Sequence, residues 1–181
     1  MLASIDPQAA LHILRDDEHA AVYTLIDTLT VDEMTRPNTI EHGLYWDQQY
    51  AFKDLLAHMN AYEVHAIAAL NAWRNGEKAP IVDDIRTRGL EVHYASSEDR
   101  KHLSLHEMID LYTDTANALE IEYANFKQEE WEQPAPFSTP RPMNLGGMLE
   151  TIVVAPPRPM YRHLPVHIPN TEAYIKRLRR A

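Results

Sequence analysis

Apolar residues recur along most of this chain three or four positions apart, the spacing of helices with one buried face, rather than on alternate positions as in a half-buried strand. Leu11, Leu14, Val22, Leu25, Ile26 and Leu29 keep that period after Asp6 and Pro7. Asp6 is a capping carboxylate, and the N–H that Pro7 lacks is not needed in a first turn. Together they predict a first helix over about 7–29. Thr30 and Glu33 have capping-box spacing for a short turn, and Pro37, Asn38 and Gly43 mark a connection. From Tyr50 to Arg74 the set Phe52, Leu55, Leu56, Met59, Ile67, Leu70 and Trp73 holds the period with no internal proline or glycine. This is the clearest helix of the chain, and Asn75 and Gly76 close it.

Residues 76–101 contain Pro80 and Gly89 among mixed polar positions, a connection longer than helical bundles generally use. It reads as a lid or a crossover. Ser104 and Glu107 form a second capping box, and Leu105, Met108, Ile109, Tyr112, Ala116, Leu119, Tyr123 and Phe126 carry a third helix to about 129. The proline-rich stretch 134–142 predicts an extended loop. Leu145 to Val154 fits a short helix or a strand, ended by Pro156, Pro157 and Pro159. A last amphipathic segment places Leu164, Ile168, Tyr174, Ile175 and Leu178 inward. With no internal repeat and no strand pair, the expected fold class is all-α, helix packed on helix, as a single domain over 1–181.

Charge and composition narrow the function. The 27 acidic against 17 basic side chains of this 181-residue chain disfavour nucleic acid, whose binding depends on Lys and Arg neutralising phosphates. The basic cluster Lys176, Arg177, Arg179 and Arg180 suits a helix C-terminus, where cations meet the macrodipole. There is no cysteine, so any metal must be held by nitrogen and oxygen. No apolar run reaches the length of a membrane span, and no basic stretch followed by an apolar one opens the chain. The expectation is a cytoplasmic protein with no membrane partner.

Ten histidines raise the question of whether three can converge. His163 and His167 are four apart, the separation that puts two side chains on one helical face. His58 flanks the apolar stripe of the second helix beside Leu55 and Tyr62, where a core histidine bonded to a neighbour is the ordinary reading. Glu63 projects into that stripe and His65 turns outward; Glu63 reads as a fourth ligand, as a partner for a ligating histidine, or as a buried acid paired elsewhere. Glu150 and Asp54 are candidate general bases, although carboxylates on helices are usually just solvated. Tyr62 and Tyr161 could line a pocket, while tyrosines in helical proteins more often pack. His12, His19, His42, His93, His102 and His106 form no functional arrangement in the sequence.

The segment Tyr50-Ala51-Phe52-Lys53-Asp54-Leu55-Leu56-Ala57-His58 resembles the start of the second helix of the DinB-like superfamily, and Tyr161-Arg162-His163-Leu164-Pro165-Val166-His167-Ile168 resembles its final His-x-x-x-His helix. The exit Asn71 to Pro80 and the entry Leu103 to Glu107 are similar to members of the same group, which includes mycothiol-dependent maleylpyruvate isomerases. The resemblance implies a four-helix bundle of the DinB/YfiT-like type, with zinc or nickel as a divalent cofactor on His58, His163 and His167. Tyr50 stands where the family commonly has tryptophan, with Trp46 one turn earlier. Pro165 and Pro169 each remove a helical hydrogen bond. A helix starting at Pro165 would leave His163 outside it, free of any shared face with His167.

Three neutral imidazoles leave coordination positions open, a basis for either hydrolysis or thiol transfer on a small-molecule substrate. The first expectation is therefore a metal-dependent hydrolase, or a transferase that uses a low-molecular-weight thiol. The second is a non-catalytic helical protein that binds a ligand or partner chain. A third follows the branch that resembles the colibactin self-protection proteins, which act on a bound toxin without the three-histidine set. A homodimer is expected from the frequency of two-fold assemblies.

Overall fold

In a computed structural model of the chain, residues 1–40, 50–154 and 159–180 are described, and helices make up its regular structure. His42, Gly43, Trp46, Pro156 and Pro157 lie outside those residues. The first helical run is α1 (Pro7–His12), a π-helical turn (Ile13–His19) and α2 (Ala20–Thr28) without a break. Asp6 caps it by accepting the Ala9 N–H at 2.8 Å. The short α3 (Val31–Thr35) carries the full Thr30–Glu33 capping box. The long α4 (Phe52–Arg74) begins with Asp54 reaching back to the Ala51 N–H and ends at Gly76, whose φ of 75° is the left-handed conformation that a C-terminal glycine supplies.

The connection after α4 contains α5 (Ile81–Thr87) and α6 (Leu90–Glu98) and leads to α7 (Leu105–Asn125), capped by Ser104 and Glu107. Its length follows from direction. The N-terminal halves of α4 and α7 share one apolar cluster, built on Phe52, Leu56, Met108 and Tyr112, and their C-terminal halves share another, built on Leu70, Trp73, Leu119 and Tyr123. The two helices therefore run parallel, and the chain must travel back along the roughly 34 Å of a 23-residue helix to start the second. The segment is a crossover packed on α4 and on the later α9. The first helical run lies the other way, with Leu11 and Leu14 in the second cluster and Val22 and Leu25 in the first.

The third helix stops at Asn125, four residues earlier than its apolar period suggests. Phe126 is extended, and a separate turn, α8 (Gln128–Trp131), buries Trp131 completely. The stretch 134–142 is a loop, joined to the start of α9 by a bridge between Pro134 and Asn144 and packed on α4 through Phe137, whose ring meets Trp73 edge-on at 5.4 Å. Leu145–Val154 is a helix, α9, rather than a strand. Among the described residues no strand forms, and the last segment divides into α10 (Leu164–His167) and α11 (Thr171–Leu178). The basic tail is a clasp: Arg177 donates to the Thr39 carbonyl at 2.5 Å, and Arg179 donates to Glu33 at 3.2 Å and to the Thr28 carbonyl at 3.1 Å.

Between the two apolar clusters each long helix is polar. Glu18 and His19 on the first run, Asn60 and Glu63 on α4, and Thr115 on α7 are all buried at that level. Asn60 donates to the Thr115 hydroxyl at 2.9 Å and accepts from Arg100 at 2.8 Å.

α9 meets Trp131 across Gly146, where an added methyl carbon would lie 2.3 Å from the indole ring. The indole is held in place by donating to the Ile5 carbonyl at 2.9 Å. Gly146→Ala is accordingly expected to cost about 1–3 kcal/mol in urea unfolding. An unchanged midpoint would show that the α8–α9 contact opens without penalty.

Candidate metal centre

Three imidazoles meet in the interior. His58 comes from the first half of α4, His163 is the residue just before α10, and His167 is its last. Their side chains are buried, and the His163 Nε2 lies 3.1 Å from His58 Nε2 and 3.3 Å from His167 Nε2. One nitrogen from each of the three falls within 4.8 Å of the others. Tyr62, one turn after His58, packs edge-on against His58 and His163 with ring centroids 5.0 and 5.1 Å away.

Pro165 and Pro169 do not prevent this. The helix that bears the pair is a single turn in which Pro165 occupies the first positions, where no intrahelical N–H bond is owed, and Pro169 follows the end. His163 sits outside the helix proper yet has α-region backbone angles (φ −86°, ψ −39°), so the four-residue spacing still places it on the side of His167.

A buried nitrogen set of this shape has few explanations. An imidazole Nε2 either carries a proton or a lone pair, so His163 Nε2 cannot make full hydrogen bonds to both neighbours. Four nitrogens set tetrahedrally at about 2.0–2.1 Å from zinc would be about 3.3 Å apart. The two separations from His163 are close to that edge and the third pair falls within 4.8 Å, so the three histidines could hold a divalent cation.

A carboxylate supports the turn. Glu18, buried on the π-helical turn, accepts the Leu164 N–H at 2.6 Å, and the His163 N–H adds to the hold. Burial nevertheless pushes Glu18 up to about 7, against those backbone bonds. Glu18 carried a sequence signal: it is four residues from both Leu14 and Val22, on the apolar stripe, where an acid needs a partner.

Glu63 belongs to a different network. Its Oε1 lies 3.1 Å from His19 Nε2, and His19 Nδ1 lies 2.5 Å from Glu120 Oε1 on α7. Burial opposes a charge on His19, but the bonds to Glu120 and Glu63 outweigh it and hold the imidazole up at about 9. Burial likewise raises Glu63, with His19 pulling the other way. Of the alternatives open for Glu63, the acid paired elsewhere is the one found. His19, to which the sequence assigns no role, is the centre of that pairing. Its partner on α7 is a hundred residues away, so no spacing announces it.

Other candidates stand apart from the three imidazoles. Tyr161 is buried against Tyr123 and Trp131, with its hydroxyl donating to the Gly146 carbonyl at 3.3 Å. Glu150 accepts from the Ser4 hydroxyl at 3.1 Å, and Asp54 is spent on the α4 N-terminus. His65 is half-buried, and burial lowers its pKa. His12 and His106 pair with Asp16 and Asp110 at the surface.

The His19 network gives stability a pH dependence. The folded imidazole titrates near 9 and the free one near 6.5, so its contribution is complete below 6.5 and is lost as pH rises to about 9. Urea unfolding should show a loss on the order of 3 kcal/mol across that window, and a much flatter profile in His19→Gln. A wild-type curve level from pH 6.5 to 9.5 would contradict a charged His19.

No family model matches the chain, and no curated protein does. Among solved structures, the crystal structure of an uncharacterised protein from Escherichia coli UTI89 is similar, with a TM-score of 0.66 over 98% of this chain and 93% of that chain at 12% identity. The likeness at that identity is one of fold: the helical arrangement described above is shared over nearly the full length of both proteins.

Proposed function

We propose that this chain is a DinB-like metalloprotein, a four-helix bundle that binds one zinc or nickel ion through His58, His163 and His167 and acts on a small molecule as a hydrolase or a thiol-dependent transferase. The observation that carries the reading is the meeting of three buried Nε2 atoms at 3.1 and 3.3 Å. It is supported by the sequence likeness of Tyr50 to His58 and of Tyr161 to Ile168 to that superfamily. The first helical run, α4, α7 and α9 would be the four members of the bundle.

Three neutral imidazoles would leave positions open on such a cation, whose Lewis acidity would be the chemistry it supplies to a water or a thiol. The chain's own residues do the rest. Burial excludes bulk water from the imidazoles, Tyr62 packs against two of them, and Glu18 anchors the turn that brings the other two.

Untagged protein stripped with chelator and dialysed against zinc or nickel is expected to retain about one equivalent by elemental analysis. His58→Ala, His163→Ala and His167→Ala should each lose most of it. Wild-type protein that stays metal-free after both ions are offered would overturn the reading and favour a helical protein that binds without a metal.

A further inference from the structure

The turn that carries two of the three imidazoles cannot hold itself. Leu164–His167 is four residues long, far below what is stable alone in water, and Pro165 at its start contributes no N–H. Its first amide is instead taken by Glu18, 146 residues away in sequence, at the short distance of 2.6 Å. At that distance the amide is held firmly to the carboxyl oxygen.

The π-helical turn explains how Glu18 gets there. Widening the helix over Ile13–His19 lets two consecutive residues point inward, Glu18 to α10 and His19 to Glu63 and Glu120. Packing does not account for the glutamate. Its Oε2 is buried without a hydrogen bond, a cost that a leucine or methionine of similar size at this position would not carry.

We propose that Glu18 is a positioning residue of the three-histidine centre, acting through the backbone of His163 and Leu164 to set where the His163 and His167 rings stand relative to His58. The effect on a bound cation rests on the metal-binding reading; the anchoring of the turn does not. Residues that orient metal ligands without touching the metal change affinity by about 10–100-fold when removed.

Glu18→Ala and Glu18→Gln test this in two arms, each after circular dichroism has shown a folded chain. In metal-free protein, amide hydrogen exchange read by NMR should speed up at least ten-fold at Leu164 in Glu18→Ala, with α7 amides unchanged. In the second arm, Co²⁺ is titrated as a spectroscopic probe. Glu18→Ala is expected to bind about 10–100-fold more weakly, with altered visible bands, and Glu18→Gln, which keeps one acceptor oxygen without the charge, to fall between it and wild type. Wild-type exchange at Leu164 in a folded variant would overturn the anchoring, and wild-type Co²⁺ affinity and spectrum would overturn the positioning role. If Glu18→Ala does not fold, Glu18→Gln decides by the same criteria. Wild-type protein that takes up no Co²⁺ defeats the metal reading, and the exchange arm then decides the anchoring by itself.

Discussion

A carboxylate or a charged imidazole survives between two apolar clusters only when another charge or a backbone amide meets it. That requirement ties this protein together. His19 is clamped by Glu63 and Glu120, which joins the first helical run to α4 and α7, and Glu18 takes the amide of α10. Removing one partner from such a set leaves the others buried and unpaired, which typically costs 3–5 kcal/mol.

This buried polar layer separates two tasks. The cluster around Leu70, Trp73, Tyr123 and Trp131 is closed by aromatic edge contacts and by α9, where Gly146 lets the Trp131 ring approach the backbone. The cluster around Leu56, Met108 and Tyr112 also takes in Leu164 and Ile168, so the chain end packs beside the N-terminal half of α4 and places its histidines against His58. The parallel course of α4 and α7 makes the crossover through α5 and α6 obligatory, and leaves the sides of α4 for α7, α9 and the histidine turn.

The three imidazoles sit where these constraints intersect. His58 is fixed by a long helix buried on most of its circumference; His163 and His167 depend on one turn anchored from outside.

Much of this was written in the chain's periodicity. The extents of the first run and of α4, both capping boxes, the glycine end at Gly76 and the histidine pair follow from local rules, because capping and helical spacing involve residues within a few positions of each other. Glu18 also stands on the stripe between Leu14 and Val22, yet nothing within a few residues of it names the amide it meets. Tertiary structure alone decided the rest: that the π-helical turn aims Glu18 and His19 in different inward directions, that Glu63 answers His19, that residues 81–98 form helices of a crossover, and that Pro165 begins a turn. Each of these depends on a partner dozens to more than a hundred residues away, and the energy of a buried pair exists only once folding has brought both members out of water.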